Sequence, residues 1–304
     1  MDQVNLAAWA GKQDVASGRV DITMAAMLAA TLDHGAAPAQ GDILPQLWHW
    51  CAILPTVPNA ALAGDGHPAL GGFLPPVPLE RRMWAGGALT FHAPLHVGEV
   101  ITRHSCIRAV SEKEGAAGPM VFVTVDHEIH GAAGLAITER QDIVYLAIPD
   151  TFTPPRKQPL PEGDDYREDV KVNEALLFRY SACTFNAHRI HFDLPYAQQV
   201  EHYPGLVVHG PLQATRLIAG AARTQGRVPD QFTFRGVHPL FHDDGLQLRG
   251  AWEGTRQEGG QQSARDGGQG CAQGCALRLW AGARAGHQTM QASATWMASG
   301  KETT

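Results

Sequence analysis

The chain has 304 residues, 44% of them hydrophobic and 18% charged, which is enough apolar material for a sizeable core and excludes global disorder. Thirty acidic against 24 basic side chains give a net charge of −6 with no basic block, which argues against a nucleic-acid or anionic-membrane surface. No apolar run approaches the ~20 residues that cross a bilayer. The start Met-Asp-Gln-Val carries no basic flank ahead of an apolar segment. Five unevenly spaced cysteines (Cys51, Cys106, Cys183, Cys271, Cys275) do not make a disulfide framework, so a soluble cytoplasmic protein of two domains is expected.

In chain order, residues 24–32 have the apolar spacing of a helix. A second helix is predicted over 42–54, with Asp42 as its cap and Leu44, Leu47, Trp48 and Cys51 in one stripe. A Gly/Pro-rich loop, 59–78, follows, and an unstructured stretch of that length inside a domain is functional or disordered. Residues rich in β-branched and aromatic side chains then predict strands at 88–91, 100–109, 120–129 and 137–146. The Pro-rich stretch 149–165 reads as an extended linker. Beyond it come a strand-like stretch at 175–180, a His-rich loop, and a helix from Gly210 with Leu212, Leu217, Ile218 and Ala222 near one face. Strands are predicted at 232–237, 246–252, 276–283 and 288–296. Residues 255–274 are low-complexity and read as a flexible loop, with Cys271 and Cys275 incidental at its edge. Helix followed by antiparallel strands, used twice, predicts an α+β architecture. The divisions are 1–150, a linker at 151–168, and 169–304.

Nucleotide-phosphate loops and the G-x-S-x-G of serine hydrolases are absent. His127 and His130 sit three apart on a predicted strand and face opposite ways, a poor pair for one metal. The dense chemistry lies between Arg179 and Asp193, where Asn186, His188, His191 and Asp193 share one loop. A histidine titrates near neutral pH and can move protons at a reacting carbon, while a neighbouring Asn or Asp can fix its tautomer. The same side chains could instead only cap the next helix, with Asp193 as N-cap, and a zinc on His188 and His191 would need a third ligand not evident nearby. Further on, Val208-His209-Gly210-Pro211-Leu212 opens a helix. An unhindered Gly210 N–H at the positive end of its dipole suits a thioester oxygen turning into an oxyanion, although close packing alone would also call for glycine.

At these residues the sequence resembles the MaoC-like (R)-specific enoyl-CoA hydratases and dehydratases of the hotdog superfamily. The string Arg-Tyr-Ser-x-x-Thr-Phe-Asn-x-His-Arg-Ile-His resembles their divergent branch of type 2 3-hydroxyacyl-thioester dehydratases and mesaconyl-C4-CoA (3-methylfumaryl-CoA) and itaconyl-CoA hydratases. Pro45-x-x-Trp48-x-Trp50, Gly71-Gly72-Phe73-Leu74-Pro75-Pro76 and Arg82-Met83-Trp84-Ala85-Gly86-Gly87 extend the likeness into the first half. The resemblance implies a double hotdog, two sheets each wrapped around a central helix, here 42–54 and 210–223. It implies a first half that shapes the acyl pocket without catalysis, and a homodimer. It also implies reversible hydration of an α,β-unsaturated acyl-CoA with no metal and no cofactor, coenzyme A being part of the substrate.

By the same resemblance His191 aligns with the family's catalytic histidine, Asn186 stands at its catalytic aspartate and His188 at its asparagine. The base role thus falls to a histidine. Gly210 would hold the thioester oxygen, with His209 beside it. Arg81, Arg82, Arg179 and Arg189 are candidates for phosphates or a substrate carboxylate, and Phe73, Trp84 and Trp50 for the pocket wall. A C5 dicarboxyl-CoA that yields citramalyl-CoA is the leading substrate class. A dehydratase of linear chains, a thioesterase and a non-catalytic acyl-CoA-binding protein are the alternatives.

Overall fold

Along 121–129 every second side chain, Val121, Val123, Val125, His127 and Ile129, is buried while those between are not. That is the period of a strand with one face on a core. The structure, a computed structural model, describes residues 5–115, 118–161, 165–253 and 274–298. Its first half comprises β1 (Gln13–Gly18), α1 (Ile22–Thr31), β2 (Arg81–Phe91), β3 (Ile101–Gly115), β4 (Gly118–Gly131) and β5 (Gly134–Leu146). The second comprises β6 (Tyr166–Val170), α2 (Glu174–Thr184), α3 (Leu194–Gln199), α4 (Gly210–Gln225), β7 (Gln231–Gly236), β8 (Leu246–Trp252), β9 (Cys275–Ala283) and β10 (Gln288–Trp296).

All ten strands form one antiparallel sheet in the order β1-β3-β4-β5-β2-β7-β10-β9-β8-β6. Read outward from the β2–β7 seam the order is the same in both halves, as expected of a fold used twice. The seam runs from Gly86↔Arg235 to Thr90↔Gln231. Added side chains would not fit there, since a Cβ on Gly86 would lie 2.5 Å from Phe234 O and one on Gly87 2.8 Å from Arg140 O. The helices cover one face, and α4 packs on β9 and β10 through Leu217, Ile218 and Ala221, all at 0% exposure. Pro at the start and left-handed Gly226 (φ 71°) just past the end set its bounds.

Three expectations need correction. Residues 42–54 are not a helix: Leu47 is left-handed (φ 68°), and a single 3-10 turn spans Trp48–Cys51. Asp42 accepts from Ala39 N–H and so closes a preceding turn. Leu44, Leu47, Trp48 and Cys51 are all buried, which explains the helix-like stripe, but Pro45 and the reversal at Leu47 send them to the core from a turn. The first half therefore has no long central helix. Residues 175–180 belong to α2 instead of a strand, because Asn173 caps them by accepting from Leu176 N–H at 2.9 Å and Leu177, Tyr180 and Ser181 share the buried face. The linker is also held down, with Pro159 bridging to His287 and Leu160 N–H bonded to Gly286 O. Cys271 and nearly all of the 255–274 stretch lie outside the described residues.

Leu217 sits midway along α4 at 0% exposure. Leu217→Ala is expected to lower the stability measured by urea unfolding by about 2–5 kcal/mol, the range for a large-to-small change in a close-packed core.

Candidate active site

α2 ends at left-handed Phe185 (φ 49°), and Asn186 N–H returns to Ser181 O. The Asn186 carboxamide oxygen then accepts from His188 N–H at 2.9 Å, a local turn that sets the backbone direction of His188. A 3-10 turn, Arg189–His191, leads to Asp193, which caps α3 by accepting from Tyr196 N–H at 3.1 Å and accepts from Arg189 Nη2 at 2.8 Å. Asn186, Asp193 and Arg189 thus shape the loop that carries the histidines.

Those histidines form part of a row of four imidazoles. His67 lies 4.2 Å from His188 between ring centroids, His188 lies 5.4 Å from His191, and His191 stacks on His209 at 3.6 Å. One nitrogen of each ring is engaged. His67 Nδ1 meets Asp65 Oδ2 at 2.7 Å and His188 Nε2 meets Glu201 Oε1 at 3.2 Å. His191 Nδ1 donates to Val207 O at 2.7 Å, and His209 Nε2 meets Ser181 Oγ at 2.9 Å. The carbonyl partner makes Nδ1 the protonated nitrogen of His191 and leaves its Nε2 as the free base.

Asp65, His67 and Glu201 escaped the sequence analysis. Asp65 and His67 come from the Gly/Pro-rich loop of the first half, which docks on the histidine loop: Arg189 N–H bonds Asp65 O and Arg189 Nη1 bonds Gly64 O. Gly66 is left-handed (φ 91°), and a Cβ there would stand 1.8 Å from Ala187 O, so only glycine permits this docking. Glu201 is 1% exposed and lies between His188 and Arg81, whose Nε donates at 3.1 Å and whose Nη2 donates to Glu201 O at 2.6 Å. A carboxylate at that depth requires such a cation, and removing one partner of a buried pair costs about 3–5 kcal/mol.

Burial governs the row. It pushes His191 well below the ordinary histidine range, helped by repulsion from His209 and His188. Burial likewise brings His209 down to about 3, with His188 adding to the effect. For His67 burial outweighs the support of Asp65, and Arg82 and His188 push further down, to about 3. Burial raises Asp65, but the hydrogen bonds from the His67 ring and backbone N–H outweigh it and hold the carboxyl below its usual range. These three rings are therefore neutral at pH 7.

The structure brings together His188, His191, His209, Arg81 and Asn186 from the predicted site. Gly210 heads α4, and a Cβ on it would meet nothing closer than Met290 Cε at 3.8 Å and Trp84 O at 3.9 Å. These are ordinary contact distances, so packing alone does not demand this glycine. Trp84 packs against Trp50 and Phe234 at the seam, with centroids 4.8 and 5.9 Å away. Phe73 packs against the apolar cluster of Ile107 and Tyr145, which shares Tyr145, Leu70 and Leu79 with the cavity wall, and Arg179 is exposed on α2. Arg82 and Arg189 line a cavity of about 550 Å³ with Asp65, His67, Leu70, Leu79 and Tyr145. Asp65, His67 and His188 each offer a donor atom within 4.8 Å of the others, a set that could hold a metal ion.

The single ten-stranded sheet, built from two halves of the same strand order with α4 packed on it, defines a double hotdog. Solved structures agree on the fold: a MaoC-like dehydratase superposes with TM-score 0.67 at 12% identity over 96% of this chain and 99% of the other. A Mycobacterium tuberculosis protein described as a double hotdog superposes with TM-score 0.55 at 12% identity over 95% and 96%. Residues 47–242 match the family model for hydroxyacyl-thioester dehydratase type 2, and the chain belongs to that family. It is 44% identical to the mesaconyl-C(4)-CoA hydratase of Chloroflexus aurantiacus over 243 residues, 79% of this chain and 87% of the relative. It is 28% identical to the mitochondrial type 2 hydroxyacyl-thioester dehydratase of Schizosaccharomyces pombe, over 66% and 75% of the two chains.

The depressed histidines make stability depend on pH. Between the ordinary value of 6.5 and about 3 the unfolded chain takes up protons that buried His209 and His67 refuse. The unfolded state then binds more protons, so stability rises with pH across this window and is lost on acidification. The urea midpoint is expected to fall steadily from pH 7 to pH 4, and to fall less in His209→Gln.

Proposed function

We propose that the protein is a hydro-lyase that adds water reversibly across the double bond of a C5 dicarboxyl-CoA thioester, with mesaconyl-C4-CoA and citramalyl-CoA as the first pair to test. The observation that carries this reading is a row of four imidazoles, with His67, His191 and His209 neutral, that ends at His209 next to Gly210 at the head of α4. The thioester oxygen would rest on the Gly210 N–H at the positive end of α4, where charge develops as water adds. An imidazole of the row takes a proton from water, the hydroxyl bonds to the β-carbon, and the C=C electron pair moves toward the thioester oxygen. The proton then returns from the row to the α-carbon, so the row ends as it began. His191 Nε2 is our choice for the nitrogen that serves the α-carbon. His188, tied to Glu201, would share the proton, and Asn186 keeps His188 in place.

Arg82 fits the substrate class. Arg81 is committed to Glu201, Arg189 to Asp193, and Arg179 faces outward. Arg82 lines the cavity and pairs with no carboxylate among the described residues. In mesaconyl-C4-CoA the free carboxylate sits on the β-carbon itself, so its cation must stand close to the proton-moving groups, as Arg82 stands to His67. The reading includes no resident cofactor or metal, and the dimeric assembly common to hotdog enzymes.

Purified protein is to be followed by loss of enoyl-thioester absorbance with mesaconyl-C4-CoA, itaconyl-CoA and crotonyl-CoA. Turnover of the first is expected, with kcat reduced about 10²–10⁴-fold in His191→Ala. Release of free CoA in place of hydration would indicate a thioesterase. Arg82→Met is expected to raise KM for the dicarboxyl substrate by about 10–100-fold, the worth of a hydrogen bond to a charged group, and to leave crotonyl-CoA largely unaffected.

A further inference from the structure

We infer that Asp65 and His67, carried by the first half of the chain, form a catalytic dyad in which His67 Nε2 accepts the proton of the water that adds to the β-carbon. The inference rests on the hydratase reading above and names a group that the second-half loop does not contain. In that loop Asn186 is an amide whose oxygen accepts from His188 N–H, and Asp193 is occupied by the start of α3 and by Arg189. The carboxylate that reaches the imidazole row at its open end is Asp65.

Four independent features converge on this pair. Asp65 holds His67 twice, through Oδ2 to ring Nδ1 at 2.7 Å and through Oδ1 accepting from backbone N–H at 2.9 Å. A carboxylate on Nδ1 fixes the tautomer with the proton there and leaves Nε2 as a base, and it stabilises the imidazolium once formed. Both side chains line the 550 Å³ cavity, which puts His67 at the end of the row that opens on it. Arg82 lines the same cavity, so a carboxylate held by it would place the adjoining β-carbon near His67. The His67 ring lies 4.2 Å from His188, which connects it to the rest of the row.

The step balances without a co-reactant. One water O–H bond breaks, its proton goes to His67 Nε2, and its oxygen bonds to the β-carbon. The enolate formed on the thioester collapses as the α-carbon takes one proton from the row. His67 is neutral before and after. The groups facing His67 are Asp65 from its own loop, Arg82 from β2 and His188 from the second half, with Glu80, Tyr145, Arg189 and Tyr196 on the cavity wall.

The test uses the full chain with a substrate that the wild type turns over. His67→Gln is expected to lower kcat by about 10²–10⁴-fold, the usual contribution of general acid–base catalysis. KM and calorimetric CoA-thioester binding should stay near wild type. Asp65→Asn is expected to lower kcat less and to move the acid limb of the kcat/KM profile to lower pH, because an imidazole without its carboxylate is harder to protonate. A merely structural role would leave that limb in place. Gly66→Ala, which drives the loop off Ala187, should reproduce the kcat loss with an unchanged near-ultraviolet dichroism spectrum. An active wild type with His67→Gln turning over at a comparable rate would overturn the dyad. So would activity that disappears with a chelator and returns with zinc, which would make Asp65, His67 and His188 metal ligands. An inactive wild type is a separate result, since it removes the hydratase reading on which the dyad stands.

Discussion

The β2–β7 pairing is the constraint on which the rest of the molecule hangs. Five residue pairs, Gly86↔Arg235 through Thr90↔Gln231, join two similar halves into one sheet. Their close approach excludes side chains at Gly86 and Gly87. Because the seam is backbone to backbone, it fixes the two halves to within a hydrogen-bond length. Trp84 from one side then packs against Phe234 from the other, and the start of α4 comes to rest beside Trp84 O. The candidate site exists only where the halves meet: Arg81, Arg82, Asp65 and His67 come from the first, and His188, His191, Glu201 and Gly210 from the second.

Electrostatics follow from that meeting. Four rings lie side by side in a largely buried row, so burial and mutual repulsion keep His67, His191 and His209 neutral. Two carboxylates bond the rings of the row, Asp65 at the cavity and Glu201 at depth, and Arg81 balances the second of these. A proton taken up by such a row has few places to go. That is the property wanted in a catalyst that must hand the same proton back.

The strands and the histidine loop were legible in the sequence because both carry short-range signals. Alternation marks the strands, and His188, His191 and Gly210 fall close together in one part of the chain. The errors have a common origin in local reading. The stripe at Leu44, Leu47, Trp48 and Cys51 has helical spacing, yet Pro45 and the reversal at Leu47 bury the same four residues from a turn. The apolar run in α2 passed for a strand because the cap at Asn173 went unweighed. Asp65 and His67 were out of reach for a different reason, since they stand more than 100 residues before the loop they join. The one available sign was an acid and a histidine set among the glycines of a long loop, where a chain with no functional demand has little need of either.

The absent central helix of the first half has a consequence for motion. One continuous sheet, paired through five residues at the β2–β7 seam, opposes a swing of one half away from the other. The Gly/Pro-rich loop that follows the turn at 48–51 is held to the second half by Arg189, whose N–H bonds Asp65 O and whose Nη1 bonds Gly64 O, and to its own half by ordinary loop packing. Gating, where it occurs, falls to that segment. The element that admits the acyl group is then the same one that brings Asp65 and His67, and an open gate is an enzyme without its full set of proton-moving groups. Entry and readiness for chemistry are one conformational event, a coupling that discourages reaction until the substrate is enclosed.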